Sequence, residues 1–415
     1  MTSIPRDKNF DSTLAILLDP YNFISKRCHQ YGTDLFQTRL LLRPTICMTG
    51  PEMAELFYQQ ELFTRKKAAP GRIKKTLFGQ GGVQGLDGEA HRHRKEMFMS
   101  LMNPERIKHL KTLVADEWHA HTIKWAQMDK IVLYDEVQKI LTRAVCKWVG
   151  ISLPESEVNQ RTAQLKGMFE YAGSVGPRHW WSRFCRKRSE QWIEDVVKQV
   201  RAGHQTSPED SLINIIATWR DLDNELLSPN IAAVELLNIL RPVVAISVFI
   251  TLSAHALHRF PSWHQKLQDD DESLEFFIQE VRRFYPFFPA VMARVRKDFE
   301  WNNYKFSRGK RVLLDIYGTN RDSRTWNMPE EFQPERFKGW DGSPFNFIPH
   351  GGGDYHSNHR CPGEWITIEL MKVSCRFLLT NIDYSVPDQD MKIDKRKLPA
   401  LPKSRFVMSN VKLRG

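Results

Sequence analysis

Near the C-terminus, His350, His356, His359 and Cys361 gather groups able to bind a metal within a single loop. The run Phe347-Ile348-Pro349-His350-Gly351-Gly352-Gly353 leads through Asp354 to Asn358 into His359-Arg360-Cys361-Pro362-Gly363-Glu364. Beyond it Ile366, Leu370, Val373 and Phe377 fall on one face of a helical period, so Cys361 belongs to a loop just ahead of a helix. Amides and helix dipole at that place favour a thiolate. A thiolate beside a Pro-Gly turn, which lets another surface approach closely, is what an iron porphyrin needs from an axial sulfur ligand. Taken alone, the same residues also fit a buried structural cysteine. A zinc site is the third reading, although zinc usually takes ligands at a regular paired spacing that this cluster lacks.

A second chemically unusual residue is Arg241, in the apolar run Asn238-Ile239-Leu240-Arg241-Pro242-Val243-Val244-Ala245-Ile246-Ser247. A guanidinium in such a helix is costly unless an anion meets it, and its planar fork matches a carboxylate bidentately. The alternatives are carbonyls freed by Pro242 or, if a heme is present, one of its propionates. Glu280 and Arg283 are three apart in Glu280-Val281-Arg282-Arg283, a spacing that permits a local ion pair and that in isolation describes a solvated helix surface.

The elements that must hold these residues are mainly helices broken by Pro and Gly, with strand-like pieces at 35–48 and 299–317. No internal repeat, low-complexity tract or Pro/Gly/Ser linker divides the 415 residues, so a single domain over 1–415 is expected. The longest apolar stretch follows a helix start at Ser228-Pro229-Asn230 and runs from Ile231 to about Phe260. It is expected to be a central helix kinked at Pro242, whose amide is missing. After Pro242 the stretch is too short to cross a bilayer, and Met1 to Tyr21 has neither a signal-peptide core nor a membrane anchor, so a cytoplasmic location is expected.

Six scattered cysteines read as reduced thiols rather than a disulfide framework. The net charge of +11 would suit nucleic acid, but the basic clusters at Arg65 to Lys75, Arg92 to Lys95 and Arg183 to Arg188 come without any base-stacking or helix-turn-helix signature. An anionic cofactor and an anionic substrate account for part of the excess, and no nucleic-acid partner is expected.

Between the Glu-x-x-Arg pair and the cysteine stand Asn320-Arg321-Asp322, Trp326, Pro329, Phe332 and Pro334-Glu335-Arg336-Phe337. In this order and spacing, with Cys361-Pro362-Gly363, they resemble the cytochrome P450 superfamily. The resemblance implies the cytochrome P450 fold, mainly α with small β-sheets in one triangular-prism-like domain. It also implies heme b ligated by Cys361, and a structural triad of Glu280, Arg283 and Arg336. His91 and Lys95 stand at the spacing where the wider family has Trp and Arg for a heme propionate, Arg65 joins them as a candidate propionate partner, and His359 stands where the family usually has Arg.

Two departures narrow the resemblance. Phe347 precedes Cys361 by fourteen residues where the family has seven. The central helix carries Arg241-Pro242 and no acid-alcohol pair between Asn238 and Ser247, which puts ordinary oxygen activation with a reductase in doubt. Together these resemble the fatty-acid peroxygenases, which include α- and β-hydroxylases and alkene-forming decarboxylases. The implied reaction is hydrogen-peroxide-dependent hydroxylation of a fatty acid at the α and/or β carbon, with no obligatory reductase. The substrate carboxylate on Arg241 would serve as acid-base, with Pro242 and Gln84 completing the catalytic set. Gln84 favours hydroxylation over decarboxylation, since strong decarboxylases carry His there. Phe78 and Phe287 resemble residues lining the acyl channel. The competing readings are a decarboxylase giving terminal alkenes, a conventional monooxygenase and a non-catalytic heme sensor.

Overall fold

The computed structural model describes residues 3–204 and 208–414. At its centre lies the helix Pro229–Ala245, continued by Ser247–Arg259. The Ser228 hydroxyl accepts the Ile231 amide at 3.3 Å, and Pro229 fills the first turn, where an absent amide costs nothing. Helices Leu133–Val149, Val158–Glu170 and Pro177–Arg201 pack on the first segment, while Asp271–Phe284 and Glu364–Thr380 pack on the second. The apolar window within Pro229–Arg259 is 94% buried inside the protein, so its length and composition are those of a core helix.

The expected kink is displaced. The helix passes through Pro242 and is interrupted one turn later at Ile246, whose amide turns back to the Val243 carbonyl at 3.1 Å. Pro242 removes only the bond to the Asn238 carbonyl, and packing on all sides holds the helix across that loss. The tightened turn at Ile246 takes up the distortion.

The largest sheet orders its strands Leu35–Leu40, Arg43–Met48, Arg311–Asp315, Ala290–Val295 and Phe63–Thr64. Arg43–Met48 and Arg311–Asp315 run parallel and the other pairs antiparallel. The expected strand region 299–317 is in fact a hairpin, Phe299–Trp301 with Tyr304–Phe306, followed by Arg311–Asp315. Ile316 and Tyr317 are not strand but open the helix Ile316–Thr319, because the Asp315 carboxylate accepts the Gly318 amide at 2.7 Å and caps it. Ala290–Val295 is a strand that sequence reasoning misses, since its partial burial on both faces gives no clean alternation.

Candidate active site

The cysteine loop closes on itself before the Glu364–Thr380 helix begins. The Cys361 amide donates to the His350 carbonyl at 3.0 Å, so the long interval between Phe347 and Cys361 is an excursion, residues 351–358, that leaves and returns. Within it the Asp354 carboxylate accepts the amides of His356 and Ser357 at 3.1 and 2.7 Å, and Asn358 Oδ1 accepts the Asp354 amide at 2.7 Å. The excursion rests on Tyr58, whose carbonyl accepts Asn358 Nδ2 at 3.3 Å. The buried Lys95 braces the returning limb by donating to the carbonyls of Asn358 and Arg360, the latter at 2.9 Å.

Cys361 is half-buried, whereas the other five cysteines are buried, and all six are free. Burial pushes its thiol upward, opposed by the Gly363 amide that donates to the sulfur and by Lys95 and Arg282 nearby. The zinc reading fails on geometry. His350 Nδ1 is engaged by Arg282 at 2.9 Å, and the His359 ring lies 3.8 Å from that of His91. Among the described residues no group of three His, Cys, Asp or Glu side chains could hold an ion.

Arg65, Lys95 and His359 come together around His91, and Asp87, a residue sequence reasoning passes over, ties Arg65 to His359. Asp87 precedes the helix Gly88–Leu101 that carries His91 and Lys95. Its carboxylate accepts the Arg65 amide at 2.8 Å and the Thr64 hydroxyl, and lies 3.9 Å from His359 Nε2. Although burial pushes Asp87 upward, His359, Thr64 and Arg65 together hold it below the usual carboxylate range. Burial, then His359 and Lys95, lower His91 to about 3, and burial lowers His359 to about 4 against the pull of Asp87. Burial thus works against charge on both imidazoles, and the cations beside them are Arg65 and Lys95. Arg65 donates to the Met292 carbonyl at 2.6 Å and lies over the Phe57 ring, while the buried His91 Nδ1 has no hydrogen-bond partner among the described residues.

On the central helix Arg241 is 6% exposed, and among the described residues its side chain has one hydrogen bond, from Nη2 to Asn238 Oδ1 at 3.3 Å, while Nε has none. Burial lowers its pKa to about 9, Arg186 adds to the effect, and Cys361 opposes it, which puts sulfur and guanidinium within electrostatic reach. Asn238 Nδ2 donates to Gln84 Oε1 at 3.2 Å and to Glu235 Oε2 at 2.9 Å. Gln84 reaches the helix because Gly82 precedes it: a Cβ there would stand 2.9 Å from Val234 Cγ1 and 3.1 Å from Asn238 Nδ2. Phe78 and Phe287 are half-buried against the main core, Phe287 4.7 Å from the Phe249 ring. Sequence reasoning also misses Glu235, whose only signal is an acid inside an otherwise apolar run.

Glu280 and Arg283 are fully buried rather than solvated, paired at 2.6 and 2.8 Å. Arg336 Nε lies 3.3 Å from Glu280, and Arg283 also donates to the carbonyls of Asn320, Pro329 and Glu331.

These groups fit a heme. The half-buried Cys361 stands just ahead of a helix start, with the Gly363 amide on its sulfur. Two cations and two imidazoles, one with an orphaned nitrogen, suit a pair of carboxylates. The Cytochrome P450 family profile matches residues 262–410. Cytochrome P450 26A1 of Danio rerio is 24% identical over 89% of this chain and 83% of its own length. Among solved structures, cytochrome P450SP alpha (CYP152B1) in complex with (R)-ibuprophen is 51% identical, with a TM-score of 0.96 over 98% of this chain and 100% of that one. Cytochrome P450EX alpha (CYP152N1) with myristic acid is 43% identical, with a TM-score of 0.97 over the whole of both chains. A variant of cytochrome P450 OleT in complex with arachidonic acid is 34% identical, at a TM-score of 0.97 over 100% of this chain and 99% of that one. The chain belongs to the cytochrome P450 superfamily and, within it, to the CYP152 fatty-acid peroxygenases.

Proposed function

We propose that this protein hydroxylates fatty acids at the α and/or β carbon with hydrogen peroxide, a C–H bond and H2O2 giving an alcohol and water. The observation that carries the reading is Arg241: a buried guanidinium on the central helix whose one side-chain partner among the described residues is a neutral amide oxygen. An anion brought to that guanidinium relieves an uncompensated buried charge, and a carboxylate does so through two parallel bonds. The ligands named for the three related structures, ibuprofen, myristic acid and arachidonic acid, are all carboxylic acids.

Heme b would be held by Cys361 through its iron and by Arg65, His91, Lys95 and His359 through its carboxylates, and would supply the oxidising chemistry that takes an oxygen atom from peroxide. Arg241 holds the substrate carboxylate ionised and oriented, so that a carboxylate oxygen takes up and returns the proton that an acid-alcohol pair would otherwise carry. Fixing that end of the chain presents the α and β carbons first. Pro242 shapes the helix beside Arg241, and Phe78 and Phe287 keep water from the acyl chain. Gln84 offers an amide and no titratable proton, which favours hydroxylation over loss of the carboxyl group. Glu280, Arg283 and Arg336 form the structural triad. Hydrogen peroxide brings oxygen already reduced by two electrons relative to dioxygen, so no reductase is required, and the substrate carboxylate only moves the proton; the cytoplasm suits six free thiols.

The test is to incubate the heme-loaded protein with myristic acid and hydrogen peroxide, without reductase, and separate the products by gas chromatography. Hydroxymyristic acids are expected from the parent and at least a hundredfold less from Arg241→Ala. Absence of hydroxy acid from the parent, or undiminished product from the variant, overturns the proposal. Terminal alkene as the main product would establish the decarboxylase reading instead.

A further inference from the structure

Arg241 and Gln84 are not independent, because both end on the side chain of Asn238, and Asn238 ends on Glu235. Glu235 is fully buried, and its two oxygens have three partners. Oε1 accepts the Arg94 guanidinium and the Val83 amide, both at 2.9 Å, and Oε2 accepts Asn238 Nδ2 at 2.9 Å. Arg94 is itself 2% exposed and pairs with Asp221 at 2.6 Å on its other side. The charge of Glu235 is thus met by Arg94, and Arg241 is left without it.

Donor and acceptor logic then fixes the direction of every amide in the row. A carboxylate paired with Arg94 only accepts, so Asn238 must turn its –NH2 towards Glu235. Its oxygen is thereby committed to the other side, where it meets Arg241 Nη2 at 3.3 Å. The same –NH2 reaches Gln84 Oε1 at 3.2 Å, so the end of Gln84 outside the row is its own –NH2. We infer that Glu235 is a positioning residue that acts through Asn238. By fixing the polarity of that amide it sets the pose of Arg241 and the donor face of Gln84, and with them which substrate carbon is oxidised. This inference rests on the proposed fatty-acid chemistry and names the group that governs its regiochemistry.

Glu235→Gln retains size but can reverse the row. If the new Oε1 takes the Arg94 and Val83 donors, the new –NH2 faces Asn238, which must then present its oxygen and turn its –NH2 upon the Arg241 guanidinium. Asn238→Leu removes the link while leaving Glu235 with Arg94 and the Val83 amide. The readouts are the α:β ratio of hydroxymyristic acids, which does not depend on how much protein is folded, and the dissociation constant for myristate from calorimetry. Loss of one such hydrogen bond to a charged group corresponds to roughly a tenfold rise in that constant. Both variants are expected to bind myristate about tenfold more weakly and to shift the ratio at least threefold, with the double variant no worse than the more severe single one. A parent that hydroxylates myristate alongside two variants with unchanged ratio and affinity overturns the inference and leaves the function standing. A shift in Glu235→Gln with none in Asn238→Leu also overturns it, because Glu235 would then act only as the anchor of Arg94. A parent that makes no hydroxy acid overturns both.

Discussion

Arg241 and Cys361 are legible in the sequence for one reason: each is a group that its neighbours cannot explain. A guanidinium in an apolar helix and a cysteine before a Pro-Gly turn call for a partner from elsewhere. Arg241 makes a quantitative prediction at this scale. Arg241→Lys keeps the positive charge but replaces a planar two-pronged donor by a point charge, so myristate should bind roughly tenfold more weakly by calorimetry. Equal affinity would mean that charge alone recruits the ligand and that the fork is irrelevant. Glu235 breaks its neighbourhood in the same way, as an acid in Ile231-Ala232-Ala233-Val234-Glu235-Leu236-Leu237, yet periodicity assigns it no role. Its partners Arg94 and Val83 stand 141 and 152 residues away, so only the folded chain brings them to it. The same holds for Asp87 and His359, which meet across the cysteine loop.

Among the elements, those with strong local signals match expectation, as Ser228-Pro229 at the start of the central helix and the apolar face after Cys361 do. The displaced interruption at Ile246 and the strand Ala290–Val295 do not follow from local signals, because tertiary packing decides both. The turn after Arg311–Asp315 shows the same tension and carries a pH prediction. Asp315 is 2% exposed; one oxygen caps Gly318, and the other has no hydrogen bond among the described residues, although the Ser25 and Tyr317 amides lie near the carboxyl. Burial raises its pKa from 3.8 to about 7. The titratable side chains that share this pocket, Cys28 and Cys47, are themselves pushed upward by burial and stay neutral. An acid with a raised folded pKa contributes stability that is complete below the unfolded value and is lost as the pH climbs to the folded one. The parent should therefore lose roughly a few kcal/mol between about pH 4 and pH 7 from this group. Asp315→Asn, which keeps an acceptor for Gly318, should show a visibly flatter thermal-unfolding profile across that window. Parallel profiles would place the ionised carboxylate in a better-solvated setting than its burial indicates.

For the whole molecule, the charge of +11 is distributed in a way that bears on how an anionic substrate arrives. Part of the positive charge is internal and committed: Arg94 to Glu235, Arg282 to Glu364, Arg283 to Glu280. Other cations face solvent, and Lys75, Arg183 and Lys187 line one cleft of about 470 Å3 together with Trp180 and Phe184. Long-range attraction from such charges raises the encounter rate of an anion and fades within a Debye length, about 10 Å at 0.1 M salt. Binding at Arg241 depends instead on a desolvated, hydrogen-bonded contact that salt screens weakly. The two contributions should separate kinetically. Raising the ionic strength from about 0.02 M to 0.5 M should lower kcat/KM for myristate severalfold while kcat changes little, since steering acts on encounter and not on the bound complex. Neutralising Arg183 and Lys187 to Gln should reduce both the low-salt kcat/KM and its slope against salt, again at constant kcat. If kcat falls with salt in step with kcat/KM, or the double variant keeps the parental slope, the surface charge plays no part in capture and the excess cations serve only to hold bound anions inside the fold.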